Sequence, residues 1–295
     1  MDLTPQQIIE LINNSKSYIE VFTDLSNYNT TFVNYIRMIH PDHCKEEGSK
    51  EASSKLLSFK SEIEKGKTHE DDCGKITYFP FYCVIEGEER LLRLSIKNYN
   101  ILMSFKDKKG ENLKKYLPKS MEMLEKEKLK VTFNERSIPL SSLGTLPQEH
   151  GNWLLSRMLE FIALLRGLGY CHNGINLDSV YLSPNIHGIQ IVSFYHMCKV
   201  NSPLKTISGK YKSLYPYDVF VKKKSVPSID IELCKRIICI ILGDSTGGIN
   251  LRKTHNKDFV NFLLTYDKRE PFDVFRNYRD LLNKNFKKQF HILNI

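Results

Sequence analysis

The chain has 295 residues, of which 41% are hydrophobic and 26% charged, enough for one large domain or for a small domain followed by a medium one. The longest apolar run, residues 237–242, is far too short for a membrane helix, and the N-terminus lacks signal-peptide features, so we predict a cytoplasmic protein without a membrane partner. The seven cysteines are scattered and form no C-x-x-C pair, which argues against a disulfide framework or a zinc ribbon.

The net charge of +9 is concentrated between Lys199 and Lys224, where seven lysines accompany a single acid, Asp218. Such a patch can bind nucleic acid or an acidic protein surface. No stacking aromatics accompany these lysines in a recognised module pattern, so a solvated basic face is favoured and nucleic-acid binding ranks last among the alternatives.

Helical patterns dominate the first 66 residues. Thr4-Pro5-Gln6-Gln7 is a typical helix start, and a second helix is predicted from about Thr30 to Ile39, where Pro41 stops it. A third helix is predicted from about Lys50 to Glu64 and ends at Gly66.

Residues 67–74 are polar and carry no periodicity, which predicts a linker. Residues 76–85 and 90–97 are rich in β-branched and aromatic side chains and flank a turn at 86–89, which predicts a hairpin. A further strand is predicted at 129–133.

From residue 147 onward helices are predicted, above all at 150–168 and 229–242, with two or three more over 259–290. Short strands are predicted at 180–182 and 189–194. Strands followed by helices indicate an α+β class.

The motif His40-Pro41-Asp42 lies between two predicted helices, and Tyr18-Ile19-Glu20-Val21-Phe22 precedes them. This arrangement resembles a J-domain over about residues 16–66. The resemblance implies that the loop engages a DnaK-type chaperone ATPase and stimulates its hydrolysis. Pro41 fixes a turn that presents an imidazole beside a carboxylate, and Asp42 can accept a charge-assisted hydrogen bond from a partner arginine. The preceding helix carries only Arg37 where the family usually has several basic residues.

A second resemblance, to protein kinases, covers about residues 75–290. Residues 170–182 resemble the catalytic loop H-R-D-L-x-x-x-N and the strand that follows it, and Ser193-Phe194-Tyr195 corresponds to D-F-G. Leu214-Tyr215-Pro216 stands at A-P-E, Asp230-Ile231-Glu232-Leu233 resembles the start of the central helix, and Leu94-Ser95-Ile96-Lys97 resembles V-A-I-K on the third strand.

The resemblance also implies that the reactive groups are replaced. The catalytic aspartate is Gly174, the asparagine for the second magnesium is Ser179, and the magnesium aspartate is Ser193. Phosphoryl transfer depends on positioning and on metals that neutralise charge, so we expect no catalysis, cofactor or metal site. Asp178 is the one nearby carboxylate that could substitute.

The nucleotide-binding motifs of the kinase resemblance are also incomplete, because no G-x-G-x-x-G precedes Lys97. Lys97 is either a retained nucleotide lysine or a surface lysine, and the surface interpretation is favoured; Glu111 is the only carboxylate partner after it. The resemblance implies that His172 is a core histidine bonded to backbone and that Asp230 anchors the loop above it.

The combination resembles uncharacterised bacteriophage and bacterial proteins, on the strength of residues 155–159, 172–175, 183–184 and 187–188. In a viral setting, the location would be the host cytoplasm.

We therefore predict a J-like module over 1–66, a linker over 67–74 and a bilobal kinase-like domain over 75–295, with an N-lobe to about 135 and a C-lobe from 136. The predicted function is a non-enzymatic adaptor that recruits a DnaK-type chaperone and binds a protein client. The alternatives are a pseudokinase scaffold or inhibitor without chaperone activity, and a divergent ATP-dependent Ser/Thr kinase-like transferase.

Overall fold

The computed structural model describes residues 3–287, apart from the side chain of Ser26, and residue 293. The chain divides into two compact units, residues 1–68 with 77–80 and residues 69–76 with 81–295. The chain contains both helices and strands, so the mixed helix-and-sheet class predicted from the sequence is confirmed.

The first unit is helical. Thr4 begins α1 with a capping box, in which its hydroxyl accepts the Gln7 amide at 3.3 Å and the Gln7 side chain accepts the Thr4 amide at 2.9 Å. The three helices predicted from the sequence are confirmed, and a short fourth one follows α1. The helices are α1 (Pro5–Asn14), α2 (Tyr18–Val21), α3 (Tyr28–Ile39) and α4 (Ser49–Lys65).

The core of this unit is formed where α1, α3 and α4 pack together. Ile12, Phe22, Ile39 and Leu56 are fully buried in it. Burial of an aliphatic or aromatic side chain of this size stabilises a fold by about 1.5–3 kcal/mol, so these few residues hold the short helices in place.

A five-stranded sheet has the order β1-β2-β3-β5-β4. Strands β3 and β5 are antiparallel, with Cys83 opposite Val131, and β4 pairs with β5 across an irregularity between Met123 and Glu125. The strands are β1 (Lys67–Glu70), β2 (Gly74–Phe79), β3 (Tyr82–Gly87), β4 (Ser120–Glu125) and β5 (Lys128–Thr132).

Two sequence predictions in this region are wrong. Residues 67–74 are not a linker but β1, a turn and the start of β2; β1 is at the sheet edge and mostly exposed, so its residues show no apolar alternation. Residues 90–97 are not a strand but part of helix α5 (Glu89–Ser104). The buried face of α5 includes the polar residues Ser95 and Asn98, which hid the helical period.

The remainder of the second unit is mainly helical. Strands β6, β8 and β9 form a three-stranded sheet, and β7 pairs with β10. Helix α7 packs against α9 and α11. The elements are α6 (Lys108–Lys114), β6 (Ile138–Pro139), α7 (Gln148–Gly167), β7 (Tyr170–Cys171), β8 (Val180–Ser183), β9 (Gly188–Ile191), β10 (Cys198–Lys199), α8 (Asp218–Lys222), α9 (Pro227–Ile241), α10 (Lys257–Leu264) and α11 (Pro271–Asn285).

The helices predicted at 150–168 and 229–242 are confirmed as α7 and α9, and α10 and α11 occupy the region from 259 onward. Residues 288–290 of that last prediction lie outside the described residues. None of the described helices is both long enough and apolar enough to cross a membrane.

Candidate functional sites

The His40-Pro41-Asp42 turn is exposed at the end of α3. The His40 and Asp42 side chains are 45% and 77% exposed, and Nδ1 of His40 lies 3.4 Å from Oδ2 of Asp42. Arg37, in the last turn of α3, is exposed as well. An imidazole, a carboxylate and a guanidinium are therefore all accessible to a partner.

Two serines of α4 hold this turn in place. The hydroxyls of Ser49 and Ser53, both buried, donate to the carbonyl of Ile39 at 2.9 and 3.1 Å. The amides of His43 and Cys44 donate to the carbonyl of His40, each at 2.9 Å. The turn is thus a defined structure, because carbonyl groups at the end of α3 are satisfied by α4 and by the turn itself.

In the second unit, Asp230 holds the loop that follows β7. It lies in the first turn of α9, where its Oδ2 accepts the amide of His172 and its Oδ1 accepts the amide of Asn173, both at 2.7 Å. Complete burial raises the pKa of Asp230 to about 7. One carboxyl group thereby fixes two successive residues of the loop.

Asn173 extends this network. Its φ of 59° is in the left-handed region, which asparagine tolerates better than most residues. Its Nδ2 donates to the carbonyl of His196 at 3.3 Å and to Oγ of Ser225 at 3.0 Å, and its carbonyl accepts the Tyr215 hydroxyl at 2.7 Å. The loop is therefore bonded to three residues that lie later in the chain.

His172 is a core residue. Its ring is fully buried and lies edge-on to Phe161 and Phe194, at 6.1 and 5.7 Å between ring centroids. Burial, together with the nearby His196, lowers the pKa of His172 to about 3. The ring is therefore neutral at physiological pH, and the residue's amide is the group that meets Asp230.

The position of the expected catalytic aspartate is physically filled. A Cβ atom added to Gly174 would lie 2.3 Å from Cδ2 of His196, a distance that real Cβ atoms essentially never show. The His196 ring is itself held, because its Nδ1 is 2.8 Å from Oγ1 of Thr206. No side chain fits at residue 174 unless His196 moves.

Ser179 and Asp178 are also engaged internally. The Ser179 hydroxyl accepts the amide of Asn176 at 2.9 Å. The Asp178 carboxylate is fully buried, and its Oδ2 accepts Nζ of Lys210 at 2.6 Å and the Tyr211 hydroxyl at 2.8 Å. The carboxylate that the sequence offered as a substitute metal ligand is already neutralised by Lys210.

Residues 71–73, here called the acidic turn, connect β1 to β2 and contact the same region. Oδ2 of Asp71 accepts the hydroxyl of Tyr195 at 2.8 Å and that of Ser193 at 3.4 Å. Its Oδ1 accepts the amides of Cys73 and Gly74, at 2.7 and 3.1 Å. Burial raises the pKa of Asp71.

Asp72, the second acid of this turn, is bound differently. Its Oδ1 accepts the backbone amides of Gly209 and Lys210, at 2.8 and 2.9 Å. Burial acts to raise its pKa, but interactions with His196, Ser208 and the Lys210 amide outweigh it and hold the pKa at about 2. Asp72 is thus ionised at physiological pH, and the backbone amides of Gly209 and Lys210 bind its carboxylate.

The carboxylates of this region are engaged by other groups of the chain. They face hydroxyls, amides and one lysine, and within the described part of the chain no three His, Cys, Asp or Glu side chains are grouped so as to hold a metal ion. The sequence pointed to Gly174, Ser179, Ser193 and Asp230, and all four lie in this region.

Lys97 lies apart from these contacts. It is exposed on α5, beside a shallow groove that Met121 and Met123 also line, and Glu111 pairs with Lys114 at 2.6 Å. The expectation that Lys97 ends a third strand is wrong, because residues 94–97 are helical.

Instead, α5 binds the segment after β9 through two polar side chains. The amide of Phe194 donates to Oγ of Ser95 at 3.0 Å, and Nδ2 of Asn98 donates to the carbonyl of Phe194 at 2.7 Å. Sequence reasoning missed both residues, and it also missed Asp71, Asp72 and His196. The available signal is the run of acids Glu70-Asp71-Asp72, most of which lies in the segment that the sequence predicts as a linker.

Comparison with known proteins gives a similarity to solved structures. No family model matches the chain, and no curated protein matches it. The structure of vaccinia related kinase 3 aligns with a TM-score of 0.49 at 12% sequence identity, covering 77% of this chain and 95% of that one.

Proposed function

We propose that the protein is a non-enzymatic adaptor that recruits a DnaK-type chaperone ATPase through a J-like module and binds a client through a catalytically inactive, kinase-like body. The observation that carries the proposal is the exposed pairing of His40 with Asp42 on a turn that buried serines hold in place.

The order and spacing of the helices in the first unit support the recruiting role. A short helix at Tyr18–Val21 precedes two longer helices that pack together, and the motif lies in the loop between them. The Asp42 carboxylate is free to accept a partner's guanidinium, a type of hydrogen bond roughly twice as strong as a neutral one. The single basic residue Arg37 predicts a weaker contact with an acidic chaperone surface than several would give.

The second unit supports the inactive role. The five sequence landmarks occur in kinase order, and Asp230 holds the loop at 172–173. The position of the catalytic base carries no side chain and has no room for one, because His196 fills the space beside Gly174. Phosphoryl transfer depends on carboxylates that position metals, and here they are replaced or engaged elsewhere.

A basic surface on the second unit is suited to a client with acidic groups. Tyr217 and Val221, at the ends of α8, are 80% and 65% exposed. Lys222 follows Val221 and pairs with Asp218 at 2.8 Å, and Nζ of Lys212 lies 5.6 Å from the centre of the Phe220 ring. Exposed apolar side chains among lysines would give such a partner both an anchor and a complementary charge.

The test is an ATPase assay with a purified DnaK-type chaperone. We expect the full chain to raise the steady-state ATPase rate several-fold, and His40→Gln to abolish the increase. His43→Gln is the matched control, because its ring lies 6.2 Å from that of His40 in the same turn but outside the motif. Absence of stimulation, or stimulation unchanged by His40→Gln, would refute the co-chaperone function.

A scaffold without chaperone activity is the second candidate, and the basic surface would serve it equally. Affinity capture from a host lysate separates the two. Wild-type protein that retains a chaperone, while His40→Gln does not, supports the adaptor. The scaffold is supported if the wild type and His40→Gln capture the same other partners, and if substitution of Tyr217 and Val221 by serine abolishes this capture.

A further inference from the structure

The partners of Asp72 converge on its carboxylate group. Two consecutive backbone amides, those of Gly209 and Lys210, point at the same carboxylate oxygen at 2.8 and 2.9 Å. Converging amides of this kind form the concave sites that bind phosphate and carboxylate groups in many proteins. Here the group in the site belongs to the chain itself.

The second carboxylate oxygen of Asp72 faces His196. This residue is only 4% exposed, and its Nε2, which makes no hydrogen bond to a described residue, lies 3.8 Å from Oδ2 of Asp72. The buried Ser208 lies beside the same carboxylate. A buried imidazole nitrogen aimed at the anion, with a hydroxyl next to it, completes a set of groups suited to an oxyanion with more than one oxygen.

The site can be reached from solution. Gly209 and Lys210 are exposed, and the segment that fills the site is a three-residue turn. The tight packing of the adjoining hairpin holds Asp72 close to the amides: a Cβ on Gly74 would lie 2.1 Å from the carbonyl oxygen of Glu86. A tethered carboxylate has a high effective concentration, so a free anion competes poorly while Asp72 is present.

We propose that the Gly209 and Lys210 amides, together with His196 and Ser208, form an oxyanion-binding site that Asp72 occupies in cis, and that a carboxylate or phosphoryl group supplied in trans takes its place when the acidic turn is displaced. Asp72 thereby keeps the site closed. This inference does not depend on the chaperone function, because every residue in it belongs to the second unit.

The test is chemical rescue of Asp72→Ala in the full chain. We expect the variant to melt roughly 5 °C below the wild type, since it loses charge-assisted hydrogen bonds to buried groups. Inorganic phosphate, titrated at constant ionic strength, should recover at least half of this loss along a saturating curve. Acetate is the second probe: rescue by acetate as well assigns a general oxyanion site, and rescue by phosphate alone assigns a phosphoryl site.

Asp71→Ala is the matched control, because it removes a carboxylate from the same turn. Asp71 is bound to hydroxyls and to amides of its own turn, and not to the amides of Gly209 and Lys210. Neither Asp71→Ala nor the wild type should respond to phosphate beyond the effect of ionic strength. An equal response of all three proteins, or no response of Asp72→Ala, would overturn the proposal.

If Asp72→Ala does not fold, Asp72→Asn replaces it, since its uncharged amide oxygen still supports folding but binds the two backbone donors more weakly than a carboxylate and competes less with a free anion. Labelling with ¹⁵N-glycine then reports on the Gly209 amide. A phosphate-dependent shift of that signal in the variant and not in the wild type supports the site, and an unchanged signal in the variant contradicts it.

Discussion

The ring of His196 lies where any side chain at Gly174 would have to be, since a Cβ there would be 2.3 Å from its Cδ2. Because Asn173 donates to the His196 carbonyl and Thr206 holds the ring, His196 cannot move without breaking other contacts. The absence of a side chain at residue 174 and the filling of the adjacent space by His196 are thus one structural feature.

Gly174→Asp should therefore fail to create phosphotransferase activity and should destabilise the protein by about 1–3 kcal/mol, the usual cost of overpacking. Transfer of radiolabelled phosphate and thermal denaturation measure the two effects. His196→Ala in the same chain should relieve the clash, so that the double variant is more stable than the sum of the single effects by at least about 1 kcal/mol. Simple additivity would show that the two side chains do not compete for space.

The buried side chains of His172 and Asp230 should make the free energy of unfolding depend on pH in opposite directions. His172 has a pKa of about 3 in the folded chain against an ordinary value of 6.5, so the unfolded chain takes up a proton first and stability falls as pH drops through this window. Asp230 has a pKa of about 7 against 3.8, so the unfolded chain loses its proton first and stability falls as pH rises from 3.8 towards 7. Between pH 3.8 and 6.5 the two contributions oppose each other.

His172→Gln should consequently make the free energy of unfolding fall with rising pH across this range, and Asp230→Asn should make it rise. Each change of slope is at most about 1.4 kcal/mol per pH unit, the value for one proton. Urea denaturation at several pH values measures the slopes. The double variant serves as control and should match the wild-type slope; single variants with unchanged slopes would contradict the assigned pKa shifts.

Addition of ATP and Mg²⁺ should leave the melting temperature unchanged. Asp71 and Asp72 place two acids beside Ser193 and the Gly209 amide, where they oppose a polyphosphate, and Lys97 is exposed on α5. A ligand that binds the folded state must raise its apparent stability, so differential scanning fluorimetry is sufficient. A clear increase that Lys97→Ala removes would restore the kinase-like transferase as a candidate.

Removing the two serine hydroxyls beside the His40 turn should loosen it. In Ser49→Ala/Ser53→Ala the buried carbonyl of Ile39 loses two donors, which costs about 1–3 kcal/mol. Amide hydrogen exchange should accelerate across residues 40–48, and ATPase stimulation should fall. Ser54→Ala, an exposed position on the same helix, is the control and should leave both unchanged. Unaltered exchange in the double variant would show that the serines do not order the turn.

Helices whose buried face is apolar could be predicted from sequence. The spacing of Phe32, Ile36 and Ile39 predicted α3, and Thr4 with Gln7 fixed the start of α1. Helix α5 could not be predicted in this way, because Leu92, Leu94 and Ile96 alternate with polar residues as in a strand. Ser95 and Asn98 face inward only because Phe194 offers them backbone groups from almost a hundred residues away.

In the candidate site, too, some residues could be predicted from the sequence and others could not. The landmarks around Gly174, Ser193 and Asp230 could be identified from their order along the chain. The role of the acidic turn could not, because it depends on where Gly209 and Lys210 lie in space. Two aspartates in a polar stretch look the same in sequence whether they are solvated or bound by amides.

The hydrogen bonds between α5 and Phe194 join side chains of the helix to the backbone amide and carbonyl of Phe194. The residue at 194 can therefore be exchanged during evolution without loss of these two bonds, whereas Ser95 and Asn98 cannot be replaced by apolar residues without leaving the Phe194 amide and carbonyl unpaired. Diverged relatives should retain a hydroxyl and an amide three positions apart on this helix even where residues 193–195 have become unrecognisable. That pair is a more durable marker of ancestry than the motif it supports.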